Sequence, residues 1–196
     1  MVDMGNGRVV LDITMSLDGF ITAPDDSQDA PLGVGGDVLH DWIAAGAAAD
    51  PVLSRLFTES GAVIAGKRTY DNSSAGPNGW GIGPLGAVPV FVLTHDPAPP
   101  TGVFTFVTDG VKSALTKALM VAGTKDVYIM GGADVARQYL AAGLVDEVRI
   151  HHVPVVLGGG VRLFDGPVAG GLEITDVAAS AGVTHITYRV TESPKP

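Results

Sequence analysis

The stretch Asp126-Val127-Tyr128-Ile129-Met130-Gly131-Gly132-Ala133-Asp134-Val135-Ala136-Arg137-Gln138-Tyr139-Leu140 decides how the rest of the chain is read. The apolar run Val127 to Met130 has the length of a buried strand, and it breaks at two glycines and turns at once into an amphipathic helix. Glycines at such a junction let a ligand approach the backbone. The free N–H groups and positive dipole end of the new helix attract an anion, typically a phosphate. Two readings are open at this junction: a nucleotide pyrophosphate site, or a tight turn in which glycine relieves crowding. The chain carries no full G-x-G-x-x-G fingerprint and no G-x-x-x-x-G-K-[ST] loop, so neighbouring stretches must separate the two.

Composition sets the bounds. The chain has 196 residues, 46% hydrophobic and 17% charged, which indicates a soluble globular protein with one full core. Residues Met1 to Gly7 read as an unstructured or tag-like start, and residues 8–192 as a single domain. No apolar run reaches membrane-spanning length and the N-terminus lacks a secretory pattern, so the expectation is a cytoplasmic protein without membrane contact. The absence of cysteine excludes disulfides and thiolate metal sites. A formal net charge of -9 argues against a nucleic-acid surface, which needs clustered Lys and Arg, but is compatible with a small anionic ligand held by local donors.

In chain order, Arg8 to Ser16 reads as a first strand, nearly continuously apolar as expected of a central strand covered on both faces. The segment Thr22 to Asp37 is rich in Asp, Gly and Pro and reads as a long loop able to act as a lid. Asp37 is placed to cap a helix starting near Val38, and Asp50 another with Pro51 at its first position. Ala62 to Ala65 is a short buried strand, followed by Gly66-Lys67-Arg68-Thr69-Tyr70 opening a short helix. Asp71 to Val88 reads as a loop packed by Trp80, Pro89 to Leu93 as a third strand and Thr105 to Val107 as a fourth. Asp109 caps a helix that Gly123 ends. Beyond the helix ending near Gly143, Asp146 to Val156 reads as a strand and Leu157 to Gly160 as a flexible connection. Leu172 to Ala181 and Val183 to Thr191 form an antiparallel hairpin turning at Gly182. This alternation predicts an α/β fold: a mostly parallel sheet with flanking helices and antiparallel additions at one edge.

If the strands are parallel, the turns Gly66-Lys67-Arg68-Thr69, Thr94-His95 and Gly131-Gly132 face one crevice at their carboxyl ends. Lys67 and Arg68 there suit a phosphate, although an ordinary solvated pair is the alternative, and Thr69 adds a hydroxyl at a helix start.

The Ser16-Leu17-Asp18-Gly19-Phe20-Ile21 start, Gly66 to Tyr70, Tyr128 to Val135 and Val153-Pro154-Val155-Val156-Leu157-Gly158-Gly159-Gly160, in the family's order from about Val9 to Val190, together resemble the dihydrofolate reductase superfamily. The branch they look most like is the stand-alone relatives of the reductase domain of the riboflavin-pathway deaminase-reductase. The resemblance implies a dihydrofolate reductase-like three-layer fold with NADPH across the carboxyl ends of the strands. It assigns Gly66, Lys67, Arg68 and Thr69 to the turn holding the 2′-phosphate and pyrophosphate. Thr94 and His95 go to the adenosine side, Met130, Gly131, Gly132, Ala133, Asp134 and Val135 to the second pyrophosphate turn, and Thr14 and Ile21 to the nicotinamide. Asp134 departs from the basic or neutral residue usual there, so its side chain is expected to point away and the contacts to be made by backbone.

On the substrate side the resemblance points to Asp37 and His151 as catalytic candidates and to Asp18, His40 and Trp42 as substrate contacts. For Asp37 the alternative is a plain helix cap, for His151 a satisfied sheet histidine, and for Trp42 a core residue. The implied activity is an NADPH-dependent oxidoreductase that transfers a hydride to a C=N or C=O group of a small pterin- or pyrimidine-like heterocycle, with a homodimer as the assembly and no metal. A non-catalytic nucleotide-binding module acting as sensor or interaction partner, and a protein for a different nucleotide, are the competing classes.

Overall fold

The computed structural model describes residues 7–46, 50–73 and 86–191. Residues 1–6 of the expected unstructured start and Trp80 of the expected loop lie outside them. The strands are β1 (Val9–Ser16), β2 (Phe20–Thr22), β3 (Ser60–Gly66), β4 (Val90–Leu93), β5 (Phe104–Val107), β6 (Asp126–Ile129), β7 (Glu147–Val153), β8 (Val161–Arg162), β9 (Gly171–Ser180) and β10 (Val183–Thr191). The helices are α1 (Asp41–Gly46), α2 (Pro51–Glu59), α3 (Lys67–Ser73), α4 (Val111–Ala122) and α5 (Ala133–Ala141), with a 3-10 turn at Gly36–Leu39.

Eight strands form one sheet in the order β5-β4-β3-β6-β1-β7-β10-β9; β2 and β8 pair separately. From β5 to β7 all pairings are parallel, and β10 and β9 are antiparallel. The expected fold class is therefore present. β1 lies between β6 and β7, with Leu11 opposite Ile129 on one side and Val148 on the other, which is why its sequence is almost wholly apolar. On one face Leu11, Ile64 and Ile129 pack against Ala114 and Ala118 of α4 and Ala136 and Tyr139 of α5. On the other, Val10, Val63 and Tyr128 pack against Trp42 of α1 and Leu53 and Leu56 of α2. Each layer is thus a period-2 strand face meeting a helical stripe.

At the amino ends of the strands a buried cation anchors this second face. Arg149, 3% exposed, donates to Tyr128 Oη at 2.6 Å, Glu147 Oε1 at 2.6 Å and Glu59 Oε2 at 3.2 Å. Arg8 bridges Asp126, Glu147 and Glu59 beside it. A guanidinium that far from water is tolerated because its donors are satisfied.

Asp50 caps α2 as the sequence indicates, accepting from Val52 N at 2.8 Å and Leu53 N at 3.4 Å. Asp37 does not cap a helix: the 3-10 turn is opened by Gly35 at φ 77° with no side-chain cap, Asp37 falls inside its first turn, and α1 starts only at Asp41. Asp109 is likewise no cap, because Gly110 at φ 89° intervenes and the carboxylate bonds Ser113 Oγ and Lys117 Nζ instead. α3 runs on to Ser73, so the first residues of the expected loop after Tyr70 are helical. β7 stops at Val153, where Pro154 brings no N–H, rather than reaching Val156. The connection after it is not free: Leu157 N and Gly158 N both donate to Asp18, and Val161–Arg162 then pairs with β2.

Candidate functional site

The carboxyl ends of β1, β3, β4 and β6 open on one elongated crevice of about 1530 Å³. Every assigned cofactor residue lines it: Thr14, Ile21, Gly66 to Thr69, Thr94, His95 and Met130 to Val135. So do Asp37, His151, His40 and Trp42 of the catalytic and substrate sets. Asp18 does not. Its carboxylate accepts from Ser16 Oγ at 2.7 Å, Gly158 N at 2.8 Å and Leu157 N at 3.1 Å, joining the turn after β1 to the turn after β7. The Ser16 hydroxyl and these backbone donors hold its pKa down at about 2.

Backbone approach dominates the end of the crevice between the β3 and β6 turns. Gly66 N donates to Gly131 O at 2.9 Å, so the turns after β3 and β6 are bonded to one another. A Cβ on Gly66 would lie 3.0 Å from Val135 Cγ2, while those on Gly131 and Gly132 would point at Thr69 Oγ1 from 3.6 and 3.4 Å. Gly131 has φ 110° and its peptide to Gly132 is cis. Gly132 is the N-cap of α5 and carries no side chain, leaving the first-turn N–H groups of that nine-residue helix facing the crevice. Asp134 lies along the first turns of α5, where Gln138 Nε2 donates to it at 2.7 Å, and both residues line the crevice.

The two cations of α3 already have partners. Lys67 Nζ donates to both oxygens of Asp71, at 2.5 and 2.7 Å. Arg68 pairs with Asp26 of the long loop at 2.5 and 2.7 Å, and Asn72 Nδ2 donates to the same carboxylate at 2.8 Å. The loop is therefore a folded flap fastened over the start of α3. Its base is closed by Ala23 N donating to Leu32 O at 2.7 Å and Val34 N to Pro24 O at 2.9 Å. Hydroxyl, guanidinium, ammonium and backbone N–H groups together form a donor set of the kind that holds an anion.

At the other end the sequence reading omitted the central group. Asp12, in the middle of β1 and 6% exposed, accepts from His151 Nε2 at 3.0 Å. His151 Nδ1 meets His185 Nδ1 on β10 at 2.8 Å, and His185 Nε2 lies 3.2 Å from Ser180 Oγ and 3.6 Å from Asp50 Oδ2. Trp42 covers both imidazoles, with ring centroids 5.1 Å from each. Burial and the neighbouring His151 lower the His185 pKa, with Asp50 opposing. Among the described residues, Asp12 Oδ2 and Trp42 Nε1 are buried and find no hydrogen-bond partner. Asp37 and His40 sit exposed at the rim on and beside the 3-10 turn. Among the described residues no cluster of His, Cys, Asp or Glu could hold a metal, and no helix is long and apolar enough to cross a membrane.

The RibD C-terminal domain family matches residues 8–186. The Bacillus subtilis (strain 168) protein YwjB is 28% identical over 158 residues, 80% of this chain and 82% of its own length. The Thermotoga maritima diaminohydroxyphosphoribosylaminopyrimidine deaminase/5-amino-6-(5-phosphoribosylamino)uracil reductase superposes with TM-score 0.62 at 17% identity, over 95% of this chain and 57% of the larger one. The Enterococcus faecalis dihydrofolate reductase, solved with NADP(H) and RAB-propyl, gives TM-score 0.61 at 15% identity over 96% of this chain and 99% of its own. At those identities the two structures speak to the fold.

Proposed function

The chain belongs to the RibD C-terminal domain family, and from that premise we propose that it is an NADPH-dependent reductase of a small heterocyclic, pterin- or pyrimidine-like substrate with a C=N or C=O group to reduce. The observation that carries the reading is the junction of the β3 and β6 turns, bonded through Gly66 N and Gly131 O. It sets an uncapped helix N-terminus and the Thr69 hydroxyl beside two cations in one crevice. NADPH bound there would supply the hydride. Gly131 to Val135 hold its diphosphate by backbone donors, Lys67, Arg68 and Thr69 take the adenosine phosphate, and Thr94 and His95 border the adenosine. Thr14 and Ile21 bound the nicotinamide end, which puts the reacting carbon on the Asp12, Trp42 and His151 side of the crevice. Trp42 and the buried strand ends exclude water from that end, where stray proton exchange and hydrolysis would compete.

As assembly we assign an edge-to-edge homodimer through β9, the ten-residue outer strand that exposes Leu172, Ile174 and Val177 at 41%, 58% and 59%. A long apolar edge of this kind is a template for a second copy of itself.

Calorimetric titration tests the cofactor assignment. NADPH should bind more tightly than NADH, and absence of NADPH binding at millimolar concentration would overturn the reading.

A further inference from the structure

The polar side chains buried on β1, β7, β9 and β10 form one unbroken line from a half-buried surface hydroxyl to the crevice. Ser180 Oγ, His185, His151 and Asp12 follow one another at 3.2, 2.8 and 3.0 Å. Both ring nitrogens of His151 are spent inside this line, so that residue has no free nitrogen to offer a substrate. The line ends on Asp12, a residue that lines the crevice, whose buried Oδ2 has no partner among the described residues. A carboxylate oxygen left bare in an apolar setting is costly, and a strand of Val, Leu and Ile would pack without it.

We propose that Ser180, His185, His151 and Asp12 are a proton relay whose delivery atom is Asp12 Oδ2, protonating the substrate nitrogen or oxygen next to the carbon that accepts hydride. The proposal rests on the reductase reading and adds its proton donor. The hydrogen-bond chemistry fixes the polarity of the line. A carboxylate only accepts, so His151 Nε2–H donates to Asp12 Oδ1 and the Nδ1 of neutral His151 is an acceptor; His185 Nδ1–H then donates to it, leaving the His185 Nε2 lone pair facing Ser180 Oγ at 3.2 Å and Asp50 Oδ2 at 3.6 Å. A proton entering at His185 Nε2 releases the Nδ1 proton to His151 Nδ1, and the Nε2 proton of His151 passes to Asp12. A half-turn of the neutral carboxyl exchanges its oxygens and carries the proton to the bare position, from which it moves to the substrate as the adjacent carbon takes hydride from NADPH. After the product leaves, His151 Nε2 regains a proton through the crevice, the Nδ1 proton returns to His185, and the Nε2 proton of His185 leaves to solvent. Each turnover thus delivers one proton, with no net change in the chain.

Two measurements on the full chain test this. Nitrogen-15 spectra of histidine-labelled protein should show His151 protonated on Nε2 and His185 on Nδ1; His151 carrying its proton on Nδ1 alone would overturn the relay. The second compares NADPH consumption with 3,4-dihydroisoquinoline, whose ring C=N needs hydride and proton, and with its N-methyl iminium ion, which needs hydride only, at a pH where the free imine is neutral. Asp12→Asn and His185→Asn should each slow the imine by about a hundredfold, the lower range for a general acid, and the iminium ion by less than about threefold. Equal losses on both compounds, or none on either, would overturn the relay, since misfolding or a purely structural role moves both alike. Failure of the unaltered protein to use either compound counts against the reductase reading, and the tautomers then decide the relay alone.

Discussion

Asp26 occupies Arg68, the side chain proposed to receive a cofactor phosphate, and its removal gives the sharpest test of that proposal. Its carboxylate engages Arg68 through two hydrogen bonds and Asn72 through a third, while the Arg68 side chain remains 70% exposed and Asp26 only 8%. If Arg68 receives the adenosine phosphate, that phosphate displaces Asp26, and binding carries the cost of breaking the pair. Exposed ion pairs contribute about 0.2–1 kcal/mol, and the bidentate geometry with Asn72 puts this one near the upper limit, about 1 kcal/mol. Asp26→Ala should then tighten NADPH about fivefold. NADH, which has no phosphate to set against Arg68, should change by less than about twofold, a shift that reflects one negative charge fewer nearby. Calorimetry of both cofactors at about 0.1 M salt measures the two changes. The NADPH gain should shrink at about 1 M, where the Debye length is about 3 Å. Weaker NADPH binding, or equal tightening of both cofactors, would refute the competition.

Replacing Lys67 and Arg68 together by Ala should weaken NADPH by about tenfold or more, at 1.5–3 kcal/mol for a hydrogen bond to a charged group, and NADH much less; equal losses would remove the phosphate assignment. Gly66→Ala puts a methyl 3.0 Å from Val135 Cγ2 at the joint of the two cofactor turns. It should cost about 1 kcal/mol, seen as a melting temperature about 2–4 °C lower together with weaker NADPH binding, whereas an unchanged melting curve would show that the joint is slack. Asp18 has a folded-state pKa depressed from 3.8 to about 2, so its stabilisation is present above pH 3.8 and is lost as pH falls through about 2. Asp18→Ala should accordingly lower the melting temperature at pH 6 and converge on the parent protein near pH 2; a constant gap would contradict that linkage. Ile174→Lys with Val177→Lys on β9 should yield monomers in sedimentation velocity if copies pair through that edge, and an unaltered dimer would place the interface elsewhere.

The sheet was legible because its strands are short apolar runs, with glycine at or just past the end of β3 and β6, and β1, β3 and β6 fall within a residue or two of where those runs end. The turns that line the crevice were legible for the same reason, each following its strand directly. Asp12 was not, although a signal existed: a single carboxylate inside the run Val9 to Met15 has to find a partner when both faces are covered. His185 gave no local sign at all. Its meeting with His151 depends on the antiparallel register of β10 on β7, which sets those two residues directly opposite, and a one-residue slip would turn the imidazole to the other face. Asp37 and Asp109 misled because each precedes a helical run, whereas a glycine in the left-handed region, Gly35 or Gly110, starts the turn instead.

Strand order has a consequence for synthesis. The first strand made, β1, has as its only sheet neighbours β6 and β7, with Val9 beside Val127 and Ser16 beside Val153. Until β6, Asp126–Ile129, has left the ribosome, that very apolar segment has no lateral partner, and until β7 follows it has only one. Loop closure over such separations makes parallel pairing slow, leaving an aggregation-prone nascent segment for most of translation. Chaperone dependence should therefore concentrate in the interval before residue 153 emerges, and silent codon changes that shorten it should raise soluble yield without altering the finished fold.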